Sequence, residues 1–141
     1  MNTKPEYKPL VDELFRMVHQ VFKEEFLDGH PTLGNMWANI NPPGGYNKPH
    51  VHPNSLFSGV YYVKTPPNSG RLMCNDPRPG IQTCMPNRIK GQPKHLCREI
   101  HLQPQENRAI IFPAWLWHSV EANKSNENRI SVSFNFIQHG F

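Results

Sequence analysis

The stretch that decides the fold is RISVSFNF, residues 129–136. Four apolar residues alternate there with four polar ones, which is the period of a β-strand with one apolar and one polar face. The two sets are Ile130, Val132, Phe134 and Phe136, and Arg129, Ser131, Ser133 and Asn135. The polar face can meet solvent or line a barrel interior, where Arg129 would require an anion. This strand alone favours solvent.

Outward from this strand, short apolar runs between turn residues predict six more strands, at 36–41, 56–63, 71–75, 98–102, 109–112 and 119–121. Fifteen prolines and nine glycines also favour short strands and loops over long helices. Residues 8–27 carry apolar side chains at helical intervals and predict an amphipathic helix that covers one sheet face. Pro9 suits its first turn, and Asp28-Gly29 provides a stop. The chain is therefore expected to be mainly β.

Length and charge narrow the class of protein further. The 141 residues fit one domain, 1–141, and neither a membrane-spanning run nor a signal-peptide pattern is visible, so a cytoplasmic protein is expected. Three widely spaced cysteines are expected to be reduced thiols. The net charge of +4 comes without a basic tract, which argues against nucleic-acid binding. Basic residues gathered within 71–98 could favour an anionic ligand, although an ordinary solvated surface is the favoured interpretation.

Three histidines are the candidate metal ligands. His50 and His52 are two residues apart on predicted extended backbone, so both imidazoles point to the same side. His118 follows the strand at 109–112 and a short turn, which can return it against the first pair. Imidazole suits iron, zinc, copper and nickel alike, so the three histidines do not choose the metal.

Several motifs in order resemble a known family. Four segments are similar to 2-oxoglutarate/Fe(II) oxygenases of marine bacteria and their phages. They are WANINPPGGYNKPHVHPNSLFSGVYYVK at 37–64, DPR at 76–78, FPAWLWH at 112–118 and NRISVSFNF at 128–136. The motifs resemble prolyl hydroxylases more distantly. The resemblance covers about residues 36–137 and implies a double-stranded β-helix core of the jelly-roll or cupin kind. It also implies Fe(II), 2-oxoglutarate and O2 as cofactor and co-substrates.

The resemblance also implies roles for individual residues. His50 and His118 take the first and last places of the metal triad, and Arg129 pairs with the remote carboxylate of 2-oxoglutarate, for which its planar fork is suited. Ser131 and Tyr62 complete the co-substrate contacts. Asn39 and Asn41 lie at the interval of further such contacts, but either asparagine could equally cap a turn.

The carboxylate of the usual His-x-Asp/Glu pair is missing, because position 52 is histidine. Two alternatives follow: His52 is itself the third ligand, or Asp76 supplies an oxygen with His52 beside it. Spacing favours His52.

The implied activity is hydroxylation of a C–H bond in a small molecule or peptide, with a prolyl residue or a free amino acid as the leading substrates. A cupin-like metal-binding domain and a three-histidine dioxygenase without 2-oxoglutarate turnover are the alternatives, and Arg129 argues against both. The long segment at 77–96 is expected to be a substrate lid, together with Tyr46 and Asn47. The short region before the core leaves open a minimal form of the family or one completed by homodimerisation.

Overall fold

The structure, a computed structural model, describes Met1 and residues 3–81, 83–84 and 86–139. A 3-10 turn, Pro5–Tyr7, leads into the helix α1, Lys8–Glu24. Eight strands follow: β1 His30–Asn41, β2 Asn47–His50, β3 Phe57–Lys64, β4 Leu72–Asn75, β5 Glu99–Leu102, β6 Ala109–Pro113, β7 His118–Val120 and β8 Arg129–His139. A second 3-10 turn, Lys94–Leu96, precedes β5. Gln82 and Met85, in the predicted 77–96 lid, lie outside the described residues.

The eight strands form two antiparallel four-stranded sheets, in the orders β1-β8-β3-β6 and β2-β7-β4-β5. Most consecutive strands lie in different sheets, so the chain winds back and forth between the two layers. This is the expected double-stranded β-helix.

The main apolar core lies between α1 and the outer face of the first sheet. Leu14, Val18 and Phe22 of the helix contact the apolar face of β8, where Phe134 and Phe136 are 1% and 0% exposed. Burying large apolar side chains on both partners stabilises this contact by roughly 1.5–3 kcal/mol for each side chain. Because the apolar face of β8 is covered by α1, its polar face must turn inward, toward the second sheet.

A smaller apolar cluster lies between the two sheets. Leu72 and Cys74 of β4 pack there with Phe112 of β6, and Leu116 and Val120 lie against them. This cluster fills one side of the space between the sheets and leaves the other side to polar residues.

Most predicted strand ends are shifted by one to three residues, and there are three other departures from prediction. The helix ends at Glu24 rather than 27, because the Leu27 N–H bonds to the Phe22 carbonyl at 2.9 Å and Phe26 turns to a φ of 53°. Strand β1 begins at His30, six residues before the predicted start. Strand β2 was not predicted, because its proline reads as a turn residue. An edge strand tolerates proline, and β2 is the edge of its sheet.

Within the described residues, no helix has the length and apolar character that spanning a bilayer requires.

Candidate metal centre

The two sheets bring the three predicted histidines together. His50, at the end of β2, is paired across the sheet with His118, at the start of β7, and their ring centroids are 4.3 Å apart. His52 lies just beyond β2, where its backbone N–H donates to the Ala114 carbonyl at 2.9 Å. One nitrogen from each of the three rings lies within 4.8 Å of the other two.

Backbone carbonyls orient two of these rings. Nδ1 of His50 lies 2.7 Å from the Lys48 carbonyl oxygen, and Nδ1 of His118 lies 2.8 Å from that of Leu116. A carbonyl accepts only, so each Nδ1 carries the proton and each Nε2 keeps its lone pair. Metal-binding histidines are held in this way, by a hydrogen bond at the nitrogen that does not bind the metal.

The separation of the nitrogens suits one metal ion. Nε2 of His52 and Nε2 of His118 are 3.2 Å apart. Two imidazole nitrogens bound at right angles to an ion, each at 2.0–2.1 Å, would lie about 3 Å apart. The donor set of three imidazoles therefore fits a divalent transition metal on one face, leaving the opposite positions open.

Burial keeps two of the three ligands, His52 and His118, neutral. Burial lowers the pKa of His118 to about 4, with smaller lowering effects from His50 and His52 and an opposing one from its bond to Leu116. Burial, and then His50, also lowers the pKa of His52. Unprotonated imidazole is the form that binds a metal, so at neutral pH these two rings are ready to do so without losing a proton.

Asp76 is not part of this cluster. Its carboxylate pairs with Arg78, whose guanidinium lowers the pKa of Asp76, and it borders a different cavity from the histidines. Among the residues that the structure describes, the potential metal-binding group is His50, His52 and His118.

A cavity runs from the histidines to Arg129. It offers about 80 Å³ to the centres of water-sized molecules, room for about five to eight waters or a small organic acid. The predicted site residues Asn39, Asn41, Tyr62, Arg129 and Ser131 all line it. The strand register explains this convergence, because Asn39 and Tyr62 both pair with Ser131, and Asn41 pairs with Arg129.

Among the described residues, no carboxylate pairs with the buried cation of Arg129. It is 2% exposed, and its Nη1 donates to the carbonyl oxygens of Ser69 and Gly70 at 2.8 and 3.1 Å. Its Nε is buried without a hydrogen-bond partner, and the described cavity lining contains no carboxylate. Burial lowers the pKa of Arg129, which measures the cost of leaving this charge unpaired. A small carboxylate in the cavity would remove that cost.

The two neighbours of Arg129 are shaped around it. Gly70 has a φ of +93°, and a Cβ there would lie 3.0 Å from Nη1 of Arg129 and 2.3 Å from the Glu121 carbonyl oxygen. Burial raises the pKa of Tyr62 to about 12, against a lowering effect of Arg129, so its hydroxyl stays a donor at neutral pH. Guanidinium and phenol together form a donor set suited to a carboxylate.

The asparagines have protein partners of their own. Asn39 accepts from Trp37 Nε1 at 3.1 Å and donates to Ser133 Oγ at 2.7 Å. Asn41 donates to Oδ1 of Asn47 at 3.3 Å. Neither side chain caps a turn, since both lie within β1.

Sequence reasoning missed part of the cavity wall. Trp37, Ser133 and Phe112 line it but were not assigned to the site. The alternation along β8 could have identified Ser133, which is four residues from Arg129 on the same face. No sequence signal marks the carbonyls of Lys48, Leu116 and Ser69, because backbone acceptors are independent of residue type.

Comparison with known proteins adds a family to this geometry. The family model described as "Putative 2OG-Fe(II) oxygenase" matches residues 35–135. No curated protein matches the chain significantly in sequence.

Solved structures share the fold. The chain is similar to a prolyl-4-hydroxylase of Pseudomonas putida, with 16% identity and a TM-score of 0.61 over 90% of this chain and 63% of the other. It is also similar to an oxidoreductase of the 2OG-Fe(II) oxygenase family from Burkholderia pseudomallei, with 15% identity and a TM-score of 0.58 over 79% of this chain and 47% of the other. A third similar structure is the non-heme alpha-ketoglutarate-dependent epimerase SnoN from nogalamycin biosynthesis, with 15% identity and a TM-score of 0.56 over 77% of this chain and 49% of the other. The chain thus spans about half to two thirds of the length of these structures.

The family match covers most of the chain, and both the β-helix and the cavity beside three histidines agree with it. This chain therefore belongs to the 2OG-Fe(II) oxygenase family, whose enzymes use Fe(II), 2-oxoglutarate and O2.

Proposed function

We propose that this chain hydroxylates a C–H bond of a small molecule or peptide. In that reaction one atom of O2 enters the substrate as hydroxyl, and the other enters 2-oxoglutarate as it loses CO2 and becomes succinate. A prolyl residue of a peptide and a free amino acid are the leading substrates, and the likeness in fold to a prolyl-4-hydroxylase supports the first.

The observation that carries the proposal is the position of Arg129. Its guanidinium lies in the same cavity as three imidazoles, with no described carboxylate in the lining. A metal-storage domain needs only the histidines. A buried cation opposite them is explained by a ligand that reaches both, with a chelating end and a remote carboxylate.

The residues divide into two groups by role. His50, His52 and His118 would hold iron, which when bound supplies the activation of O2. Arg129 would hold the remote carboxylate of 2-oxoglutarate, and Tyr62 would donate a hydrogen bond to the same group.

Three further residues would shape the co-substrate pocket. Ser131 lies between Asn39 and Tyr62 in the sheet and would add a hydroxyl contact. Asn39 and Asn41 would orient the ligand through their links to Ser133 and Asn47.

The cavity must exclude water to keep the co-substrate in place. The loop at 77–96 would act as a cover over the substrate, together with Tyr46 and Asn47. Tyr46 is 58% exposed and free to close on a ligand, and Asn47 already lines the cavity.

Anaerobic spectroscopy tests the proposal. Protein mixed with Fe(II) and 2-oxoglutarate should develop a visible charge-transfer band that fades when O2 is admitted, with one succinate formed for each 2-oxoglutarate consumed. His118→Ala should abolish the band. His19→Ala is the matched control, because His19 lies exposed on α1 with its Nδ1 on the Phe15 carbonyl, and it should keep the band.

Two results would contradict the proposal. Binding of Fe(II) without any spectral response to 2-oxoglutarate would favour the metal-binding domain. Oxygen uptake that proceeds equally without 2-oxoglutarate would favour a three-histidine dioxygenase.

A further inference from the structure

Charge is unevenly divided along this chain. Residues 29–98 contain eight lysines and arginines but a single acid, Asp76, whereas the rest of the chain contains seven basic and ten acidic residues. Segment 29–98 thus carries +7 and the remainder −3, which sum to the net +4 of the chain.

Three of the eight cations form ion pairs. Lys64 pairs with Glu127, Arg71 with Glu121 and Arg78 with Asp76. Within the described residues, no carboxylate pairs with the others, which are Lys48, Arg88, Lys90, Lys94 and Arg98. All five are exposed. We call these five residues the basic rim.

The basic rim adjoins the metal site through the backbone. The loop that carries four of its members leaves β4 where the Asn75 N–H donates to the Trp117 carbonyl at 2.9 Å, one residue before His118. It is tied back where the Asp76 N–H donates to the Arg98 carbonyl at 2.7 Å. A guanidinium nitrogen of Arg78 also donates to the His95 carbonyl at 3.1 Å. Lys94 lines a cavity beside this loop that is separate from the cavity of the histidines, and Leu116, whose carbonyl orients His118, lines it too.

The fifth member of the basic rim, Lys48, lies on β2, the other strand that carries a histidine. Its carbonyl orients His50. Lys48 thus precedes His50 on β2, and the loop with the other four members leaves its sheet beside His118 of β7. Of the two acids next to this loop, Asp76 pairs with Arg78, and Oε1 of Glu99 lies 3.1 Å from Nε2 of His101.

The net charge of the metal site with iron and 2-oxoglutarate bound also favours an anionic substrate. A divalent iron and Arg129 bring three positive charges to the cavity, and the two carboxylates of 2-oxoglutarate offset two of them. With a carboxylate in the usual triad the balance would be zero, but three imidazole ligands add no charge when they bind a metal, which leaves one positive charge uncompensated. An uncompensated charge in a partly buried site is costly, and an anionic group on the substrate would offset it.

We propose that the substrate of this oxygenase carries a side-chain carboxylate, and that the basic rim draws it to the metal site. The inference rests on the proposed function and adds the chemical class of the substrate to it. A free acidic amino acid and an acidic residue of a peptide supply the same group.

Binding of matched probes distinguishes charge from shape. The protein is loaded with Ni(II), an inert substitute for iron, and saturated with 2-oxoglutarate. Four probes are then titrated by calorimetry at low ionic strength: L-glutamate, L-glutamine, and two prolyl-glycine hexapeptides that differ only in one glutamate or glutamine beside the proline.

At least one glutamate probe should bind tenfold or more tightly than its glutamine partner. The preference should shrink between 20 and 300 mM salt, a range over which the Debye length falls from roughly 20 Å to 6 Å. Preference within the amino-acid pair identifies a free metabolite, and preference within the peptide pair identifies a protein substrate.

Charge reversal at the basic rim is the decisive variant. Arg88→Glu/Lys94→Glu should abolish or invert the preference for glutamate. Lys8→Glu/Lys23→Glu places the same charge change on α1 and should leave it intact.

The inference is overturned if glutamate and glutamine probes bind equally or not at all, or if charge reversal at the rim leaves the preference unchanged. Such a failure is separate from failure of the proposed function, because 2-oxoglutarate-dependent succinate formation would persist.

Discussion

Replacing Arg129 by methionine should separate function from stability. Methionine keeps a flexible chain of similar length but removes the guanidinium. Two charge-assisted hydrogen bonds to the Ser69 and Gly70 carbonyls are lost, each worth about 1.5–3 kcal/mol. Against this loss, the variant no longer buries a cation without a counter-charge, which costs several kcal/mol. The free energy of unfolding of the ligand-free protein should therefore change by less than about 2 kcal/mol.

Binding of 2-oxoglutarate should change far more. Removing one partner of a buried, hydrogen-bonded charge pair costs about 2–5 kcal/mol, which corresponds to a Kd raised by roughly thirty to a few thousand times. The assays are urea unfolding of the metal-free protein and anaerobic titration of the Fe(II) protein with 2-oxoglutarate. Arg108→Met is the control, because Arg108 is exposed and its Nη1 donates only to Gln105 at 2.9 Å.

An unchanged Kd for 2-oxoglutarate in Arg129→Met would refute the reasoning, whatever the stability. A protein destabilised by 4 kcal/mol or more, with its Kd unchanged, would identify Arg129 as a structural residue that holds the 69–70 turn.

Two further predictions concern carboxylates. Asp76→Asn should leave the affinity for Fe(II) or Zn(II) unchanged, because the Asp76 carboxylate pairs with Arg78. His52→Ala should lower that affinity by more than about a hundredfold, measured by competition with a chelating dye. The opposite ranking of the two variants would make Asp76 the third ligand. Glu121 has its pKa lowered to about 2, first by its hydrogen bond with Arg71, so its contribution to stability is full above pH 4.5 and lost as the pH falls toward 2. Because both side chains are partly exposed, about 1 kcal/mol of that contribution is expected to be real, and Glu121→Gln should flatten the acid side of the stability profile by this amount in urea unfolding.

Local patterns predicted much of the fold. The alternation in β8 and the helical spacing in α1 follow from side-chain geometry alone, and both elements are present with ends shifted by a few residues. Strand β2 escaped prediction because Lys48-Pro49 reads as a turn, and only its place at a sheet edge makes proline acceptable there.

The direction of the polar face of β8 needed the tertiary structure. Alternation separates Arg129 and Ser131 from Val132 and Phe134, but it does not say which set meets water. Burial of Phe134 under α1 decides it, because a side chain on one face of a strand forces its neighbour to the other.

The sequence by itself determined that His50, His52 and His118 could be metal ligands, since residue type sets donor chemistry and spacing sets the face, whereas the role of Arg129 was implied by the resemblance to a family. Only the tertiary structure decided that His52 rather than Asp76 meets the other two histidines, and that Arg129 ends in their cavity without a carboxylate. The physical reason is that these groups lie up to 79 residues apart in the chain, His50 to Arg129, and their meeting depends on strand register between distant segments. No local pattern encodes that register.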